Sequence, residues 1–270
     1  VDHLDAVICS HPDEDHCGGL SAVLASTRTD AFYCSVDSWH TKVFSDVTKY
    51  VEQQGISVTV PQAGDTFAFS DASVEFLGPV VDYGDDPNEG SLVARVRYGE
   101  TSFLFTGDMG FEAEDDMLAA GVDVSATVLK VAHHGSAGSS STEFLQAVHP
   151  QYAVISVGAD NDYGHPTEAA LNRLAACGIP VYRTDLLGEI IAVSDGKTVT
   201  ITSASNEAPP ASDAASQTAG SYGYVGNSSS KVVHLASCGK LPGESNRVYF
   251  ASLDEALAAG YRKHANCLGN

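Results

Sequence analysis

The chain has 270 residues, 43% of them apolar, enough for one large domain and a small appendage. No run of about eighteen apolar residues occurs, which excludes a membrane-spanning helix in this stretch. The formal charge of -21 is uneven: residues 223–270 carry five Lys/Arg against three Asp/Glu, and residues 1–222 carry nine against thirty-two. So acidic a body does not attract a nucleic-acid backbone over a broad surface, and a phosphodiester bound to it needs local neutralisation by cations. The acidity otherwise serves solubility.

In chain order, Leu4–Cys9 reads as a buried strand, Gly19–Ser26 as a helix, Ala31–Ser35 as a strand and Val43–Gln54 as a helix. The chain opens without an initiator Met and almost inside that first strand, as a piece of a longer gene product would. Between 56 and 100, "ISVTV", "TFAFS", "SVEFLGP" and "SLVARVRYG" read as short strands joined by turns. "TSFLFTGD" (101–108) is a buried strand ending in an acidic turn, and Phe111–Ala120 is helical. "ATVLKVAHHGS" (126–136) is a second buried strand ending in polar residues. Helix Thr142–Val148, strand "YAVISVG" (152–158), helix Thr167–Cys177 and strand "PVYRT" (180–184) follow. A hairpin around Asp195-Gly196 closes the domain at residue 202. Residues 203–222, rich in Ala, Ser and Pro, read as a flexible linker. Residues 223–270 resume ordered patterning, with "RVYFAS" as a strand and "LDEALAAG" as a helix ended by Gly260.

Four strands run into loops that carry His or Asp, where layered α/β folds gather reactive groups. "SHPDEDHCGG" (10–19) places His11, Pro12, Asp13, Glu14, Asp15 and His16 directly behind the first strand. One reading is a polar loop with Asp15 capping the helix. The other is a metal site: alternate residues of an extended loop point the same way, so His11 and Asp13 can share one ion, while Asp15 and His16 reach a second. A cluster of that charge density repels itself without cations. Asp108 ends the "FTGD" strand as a turn residue or a bridging ligand. His133 and His134 end another buried strand, where two polar rings need partners. His165, in "YGHPT", precedes a helix.

The ordered series HxDxDHxGG, TGD, HHGS and GHP, with "RTDLLGEIIAVSDG" (183–196), resembles the metallo-β-lactamase-fold domain of the ComEC competence proteins over about residues 1–200. Asp13 stands where most of the wider superfamily carries a second His, a substitution that the ComEC branch shows. The resemblance implies an α/β fold, an αββα sandwich with a two-metal edge site. The relatives' first strands are absent here, so the fold lacks them or completes its sheet differently. By the same resemblance His11, Asp13, Asp15, His16, Asp108 and His134 are metal ligands. Asp15, His133 and His165 are the candidate catalytic groups. No counterpart of the superfamily's usual histidine precedes the TGD strand; "NEGSLV" (88–93) occupies that zone, which leaves the first metal thinly coordinated. Two divalent ions bridged by Asp108 would acidify a water for in-line attack on phosphorus, with His165 donating a proton to the leaving oxygen or binding phosphate. The Gly135–Ser136 amides are expected to add an anion nest. Asp13 hardens the donor set, so Mn²⁺ is as fitting as Zn²⁺.

Six cysteines in a chain of this size form no disulfide framework. Cys9, Cys17, Cys34 and Cys177 read as buried thiols. His234-x3-Cys238 and His264-x2-Cys267 pair nitrogen and sulfur donors at spacings that suit a closed tetrahedral Zn²⁺; a disulfide between Cys238 and Cys267 is the alternative. The surrounding "SNRVYFASLDEALAAGYRKHANC" resembles the zinc-binding module of the Ada DNA-repair protein, with His264 in place of a cysteine. That implies a small zinc-stapled α+β module holding one structural Zn.

Three functions remain: a phosphodiesterase or DNA nuclease of the competence kind, a hydrolase of a small ester such as a phosphocholine ester, and a non-catalytic metal-bound scaffold. The first predicts basic lining near the metals, the second a closed pocket with aromatics such as Tyr163 or Trp39. The ComEC resemblance also implies a place on the outer face of the cell.

Overall fold

The computed structural model describes residues 1–204, 224–235, 238, 240–243, 246–250 and 253–268; from residue 205 on, the expected linker lies outside the described residues. Among the described residues no helix is long and apolar enough to cross a membrane.

A seven-stranded sheet carries the first region. Its order is Val181–Arg183, Tyr152–Ile155, Val128–Lys130, Thr101–Phe105, Val93–Tyr98, Ala72–Gly78, Thr66–Phe69. The first four strands are mutually parallel. The helices Phe111–Ala119, Thr142–Val148 and Glu168–Ala176 lie in the connections between them, since a parallel pair needs a long crossover. The other three pairings are antiparallel; two are joined by tight turns, and residues 79–92 connect Ala72–Gly78 to Val93–Tyr98. Ser141 and Thr167 cap the second and third helices by accepting from Phe144 N (3.1 Å) and Ala170 N (3.3 Å).

Strand alternation sets the layers. Leu77 and Val93 face the three helices in a cluster with Met117, Phe144 and Leu174. Their neighbours Phe76 and Ala94 point the other way, towards Phe67 and Tyr33. Tyr33 belongs to a second sheet, all parallel, in the order Val7–Cys9, Phe32–Cys34, Val58–Thr59. The outer face of that sheet buries Val7, Cys9, Phe32 and Cys34 against helices Leu20–Ser26 and Lys42–Gln53. The result is helix, sheet, sheet, helix: the αββα layering. Between the sheets a cleft of about 360 Å³ is lined by Ile8, Ala94, Val96 and Phe105, and Phe105 remains 46% exposed.

Several expected elements are shorter than their apolar runs. The run Leu4–Cys9 bends at Asp5 into two strands: His3–Leu4 pairs with Arg28–Thr29, and Val7–Cys9 enters the second sheet. The strand expected to run to Ser136 stops at Lys130, because His133 and His134 adopt left-handed backbone (φ 49° and 52°). The expected closing hairpin is present as Ile190–Ser194 and Val199–Ser203. It docks on the turn before Thr101, where Glu100 N donates to Gly196 O (2.6 Å); a side chain at Gly99 would strike that carbonyl.

The C-terminal residues form a separate four-stranded sheet, Arg247–Phe250, Tyr224–Asn227, Val232–Leu235, Arg262–Lys263, over a core of Val233, Val248, Phe250, Ala256 and Tyr261. Two of its strands, Tyr224–Asn227 and Val232–Leu235, lack the apolar length that marks a strand in sequence.

Candidate metal centre

Parallel strands deliver their C-terminal ends to one edge, and the expected groups sit there on four loops. Ser10–His16 follows Val7–Cys9, Asp108 follows Thr101–Phe105, His133–His134 follow Val128–Lys130, and residues 156–165 follow Tyr152–Ile155. The Asp108 and histidine loops are stitched together: Thr106 Oγ1 donates to Lys130 O (2.8 Å) and His133 N to Gly107 O (3.2 Å). Gly107 has φ 52°, and a Cβ there would lie 2.7 Å from Ser91 Cβ, so only glycine lets the loop approach.

Asp15, His16, Asp108 and His134 each bring one donor atom into a group whose members all lie within 4.8 Å of one another. His16 Nε2 stands 3.1 Å from Asp108 Oδ1 and 3.2 Å from His134 Nε2; His134 Nε2 is 3.4 Å from Asp108 Oδ2 and 3.2 Å from Asp15 Oδ2. His11 and Asp13 lie beside this group, not in it. His11 Nε2 is 3.8 Å from Asp13 Oδ2, and the His11 ring is 4.1 Å from the His16 ring. Asp13, not Asp15, occupies the N-cap of the short helix Glu14–Cys17, without a side-chain cap bond. His133 Nε2 lies 3.8 Å from Asp108 Oδ2, and His165 is one ring further out, 5.7 Å from His133 edge to face.

The donor set fits cations better than a hydrogen-bonded cluster. The buried atoms His11 Nε2 and Asp108 Oδ1 have no hydrogen-bond partner among the described residues, despite the short approach of His16 to the latter. The far sides of the rings are held. His134 Nδ1 donates to Ser156 O (2.6 Å), which leaves the Nε2 lone pair facing the cluster. His11 Nδ1 is 3.0 Å from Ser10 Oγ and 3.2 Å from Ser91 Oγ, and His16 Nδ1 is 3.3 Å from Ser10 Oγ. His133, His134 and Gly135 are three successive left-handed residues, a strained stretch of the kind that clusters at functional sites.

Electrostatics agree with a cation-binding state. Burial opposes ionisation of Asp108, but His16, Lys130 and His134 outweigh it and hold the carboxyl well below the ordinary range. Burial, reinforced by His16, lowers His11 to about 4, so its ring is neutral at pH 7. Burial and then His133 lower His165. Burial and then Asp15 raise Asp13, a strain that a cation relieves.

Three contributors were invisible in the sequence. Ser91, buried in the "NEGSLV" zone, touches His11 and accepts from Asp108 N (3.0 Å). Ser10 orients two histidines. Lys130 lies beneath the site, donating to Gly107 O and Val131 O (both 3.1 Å) with Nζ 3.9 Å from Asp108. Glu89, the acidic member of "NEGSLV", turns away to accept from Gly110 N and Ala113 N. One expectation fails and another is met in part. Ser136 N donates to His133 O (2.8 Å), so it is not free to form an anion nest. The cleft that Asp15 and His134 enter has no Lys or Arg in its lining, while the neighbouring cleft, which His16 lines, holds Lys130, its Nζ donating to carbonyls.

A second cluster lies in the C-terminal sheet. Donor atoms of His234, Cys238, His264 and Cys267 all lie within 4.8 Å of one another. His264 Nδ1 is 3.2 Å from Cys267 Sγ and 3.8 Å from Cys238 Sγ, the two histidine rings stack at 4.0 Å, and buried His234 Nδ1 has no hydrogen-bond partner among the described residues. Both cysteines are free thiols, so the disulfide alternative is not formed.

The αββα layers and the His/Asp donors gathered where the strands end define the class, that of the metallohydrolases. The chain belongs to the metallo-beta-lactamase superfamily, whose family model matches residues 1–159. It is 32% identical over 190 residues to ComE operon protein 3 of Bacillus subtilis (strain 168), and 36% identical over 191 residues to Competence protein ComA of Neisseria gonorrhoeae. Each match covers 70% of this chain. It is also 31% identical over 189 residues, 69% of the chain, to Recombination protein 2 of Haemophilus influenzae. The chain spans about a quarter of the length of these curated relatives: 24%, 25% and 22% respectively.

Proposed function

We propose that residues 1–202 form a metal-dependent phosphodiester hydrolase domain that acts on DNA. The observation that carries this reading is the convergence of donor atoms from Asp15, His16, Asp108 and His134, with buried Asp108 Oδ1 and the neighbouring His11 Nε2 without hydrogen-bond partners among the described residues. The names of the competence and recombination relatives support DNA as the substrate class.

Asp15, His16, Asp108 and His134 would hold one divalent ion, Zn²⁺ or Mn²⁺; His11 and Asp13, with Asp108 shared, would hold a second with fewer donors. When bound, such ions supply Lewis acidity to phosphoryl oxygens and acidify water. The chain's own residues prepare that chemistry. Ser156 O fixes the His134 tautomer, Ser10 and Ser91 orient His11 and His16, and the low Asp108 pKa keeps a carboxylate present at any working pH. His165 stands on the cleft side of His133, placed to hydrogen-bond a phosphate oxygen through a ring N–H or, when protonated, to pass a proton to the leaving group; burial, which lowers its pKa, works against the second role. Asp15, exposed at the cleft, and His133, beside Asp108, are the other groups in reach of substrate.

For residues 223–270 the proposal is a structural zinc module of the Ada kind, with His234, Cys238, His264 and Cys267 as ligands, joined through the 203–222 linker. The outer face of the cell is the proposed location.

The test is cleavage of linear single- and double-stranded DNA by Mn²⁺- or Zn²⁺-loaded protein, with Asp108→Ala alongside. Cleavage by the wild type that falls about a thousandfold or more in the variant is the expected result. Equal cleavage by both overturns the assignment. Absence of cleavage with metal shown bound redirects the site to small phosphoesters, and absence there too to a scaffold role.

A further inference from the structure

The cleft beside the donor cluster has a built aromatic wall. About 390 Å³ in volume, it is lined by Asp15, His134, Val157, Asn161, Tyr163 and His165 among others, so two donors of the cluster open straight into it. Tyr163 is 83% exposed. Its ring nevertheless has a fixed partner: it lies nearly parallel to His165, 22° between planes and 6.0 Å between centroids. His165 meets His133 edge to face, and His133 reaches Asp108, so a file of rings leads from Asp108 out to Tyr163. The loop that presents Tyr163 is pinned by one side chain. Asn161 Nδ2 donates to Gly158 O (2.8 Å) and His165 O (2.7 Å), and Asn161 Oδ1 accepts from His165 N (3.0 Å). Ordering entropy that a ligand would otherwise have to offset is already lost.

What the wall can grip follows from what it lacks. No Lys or Arg lines the cleft, so it does not track a phosphate backbone. A single phenol ring beside histidines is not a cage around a quaternary amine. A flat, largely apolar ring is the remaining match, and aromatic side chains hold nucleobases by their faces with little regard to sequence.

Resting on the phosphodiesterase reading above, we propose that Tyr163 and His165 form a stacking platform for one unpaired nucleobase next to the phosphodiester held at the donor cluster. The substrate is therefore a single strand or a frayed end. A base inside a continuous duplex has both faces covered by its neighbours and cannot stack here, and the cleft lining offers a duplex backbone no Lys or Arg.

The experiment uses the full chain loaded with Mn²⁺ or Zn²⁺ and short single-stranded oligonucleotides, intact or with an abasic site flanking the cut position. Tyr163→Ala raises KM about 5- to 100-fold with kcat within about twofold, Tyr163→Phe and Tyr163→Trp restore it, and the abasic substrate reproduces the loss in the wild type. A binding arm uses a nuclease-resistant phosphorothioate pentanucleotide carrying 2-aminopurine, whose fluorescence is quenched by the wild type and not by Tyr163→Ala. Unchanged KM in Tyr163→Ala, indifference to the abasic site, or blunt duplex cleaved as well as single strands overturns the platform. If the wild type hydrolyses no phosphodiester, the activity reading fails, and the quenching arm still decides the platform.

Discussion

At the edge of the seven-stranded sheet, Asp15, His16, Asp108 and His134 are held by strands and helices that bury a large apolar core, and serines, carbonyls and Lys130 fix their far sides. In the C-terminal sheet the described core is five buried residues, and His234, Cys238, His264 and Cys267 bring strand Val232–Leu235 and helix Ala265–Leu268 together at one cluster. Leu235 N, for instance, donates to Cys267 Sγ at 3.4 Å. The difference teaches how donor chemistry divides its work. With the ions proposed above, mixed oxygen and nitrogen donors at an open cleft on an ample scaffold would leave coordination room for substrate, and sulfur and nitrogen donors on a scant one would close around an ion that would complete the fold.

The largest expected effect breaks the symmetry between the two clusters. Chelation of all metal costs the C-terminal sheet most of its stability, on the scale of about 10 kcal/mol seen for zinc-dependent peptides. Amide hydrogen exchange over 224–235 and 246–268 then rises towards unprotected rates, while strands Val93–Tyr98 and Thr101–Phe105 keep their protection. Equal loss in both regions would show that the large sheet also depends on its ions.

Lys130→Met probes how the scaffold positions the first cluster. The substitution keeps the length of the side chain and removes the donors to Gly107 O and Val131 O that hold the Asp108 and histidine loops together. Metal affinity at the first cluster falls about 10- to 100-fold, the usual cost of losing an outer-shell partner, with affinity at the second unchanged. Calorimetric titration with Zn²⁺ resolves the two.

The smallest effect concerns the scaffold alone. Glu114, fully buried behind the histidine loop, accepts from Ser141 N (2.7 Å) and from Ser140 N, and Arg173 binds Ser139 O and Ser140 O beside it. Burial raises its carboxyl from 4.5 to about 7, against the pull of the Ser141 and Ser140 amides and of Arg173. The folded state therefore holds this proton where the unfolded chain releases it. The resulting stability is complete below about pH 4.5 and is lost as pH rises through about 7. In urea denaturation, the stability of wild type minus Glu114→Gln falls by about 1–3 kcal/mol between pH 4.5 and 8. A flat difference would mean that the buried carboxyl titrates where it does in the unfolded chain, so that burial has not raised it.

Local pattern made much of this legible. The α/β class, the helices Leu20–Ser26 and Thr142–Val148 and the closing hairpin follow from periodicity and caps, which are short-range. So does the placing of His11, Asp13, Asp15, His16, Asp108 and His134 on strand-end loops. The strand break at Asp5 was not legible, because it depends on which neighbour, Arg28–Thr29 or Phe32–Cys34, each half pairs with. Nor was the nest at Gly135–Ser136, expected and not formed, because the left-handed turn through His133 returns a carbonyl to Ser136 N.

Residue types and spacings, which are local properties, already state which donors this protein owns and that they come in two chemically distinct sets. Long-range packing is what gathers four of the six first-set donors and leaves His11 and Asp13 beside them. It also decided that Ser91 and Lys130 support them and that Tyr163 faces the cleft. Those outcomes depend on atoms brought together from residues up to about 120 apart in the chain, and only the packing of two sheets fixes such distances.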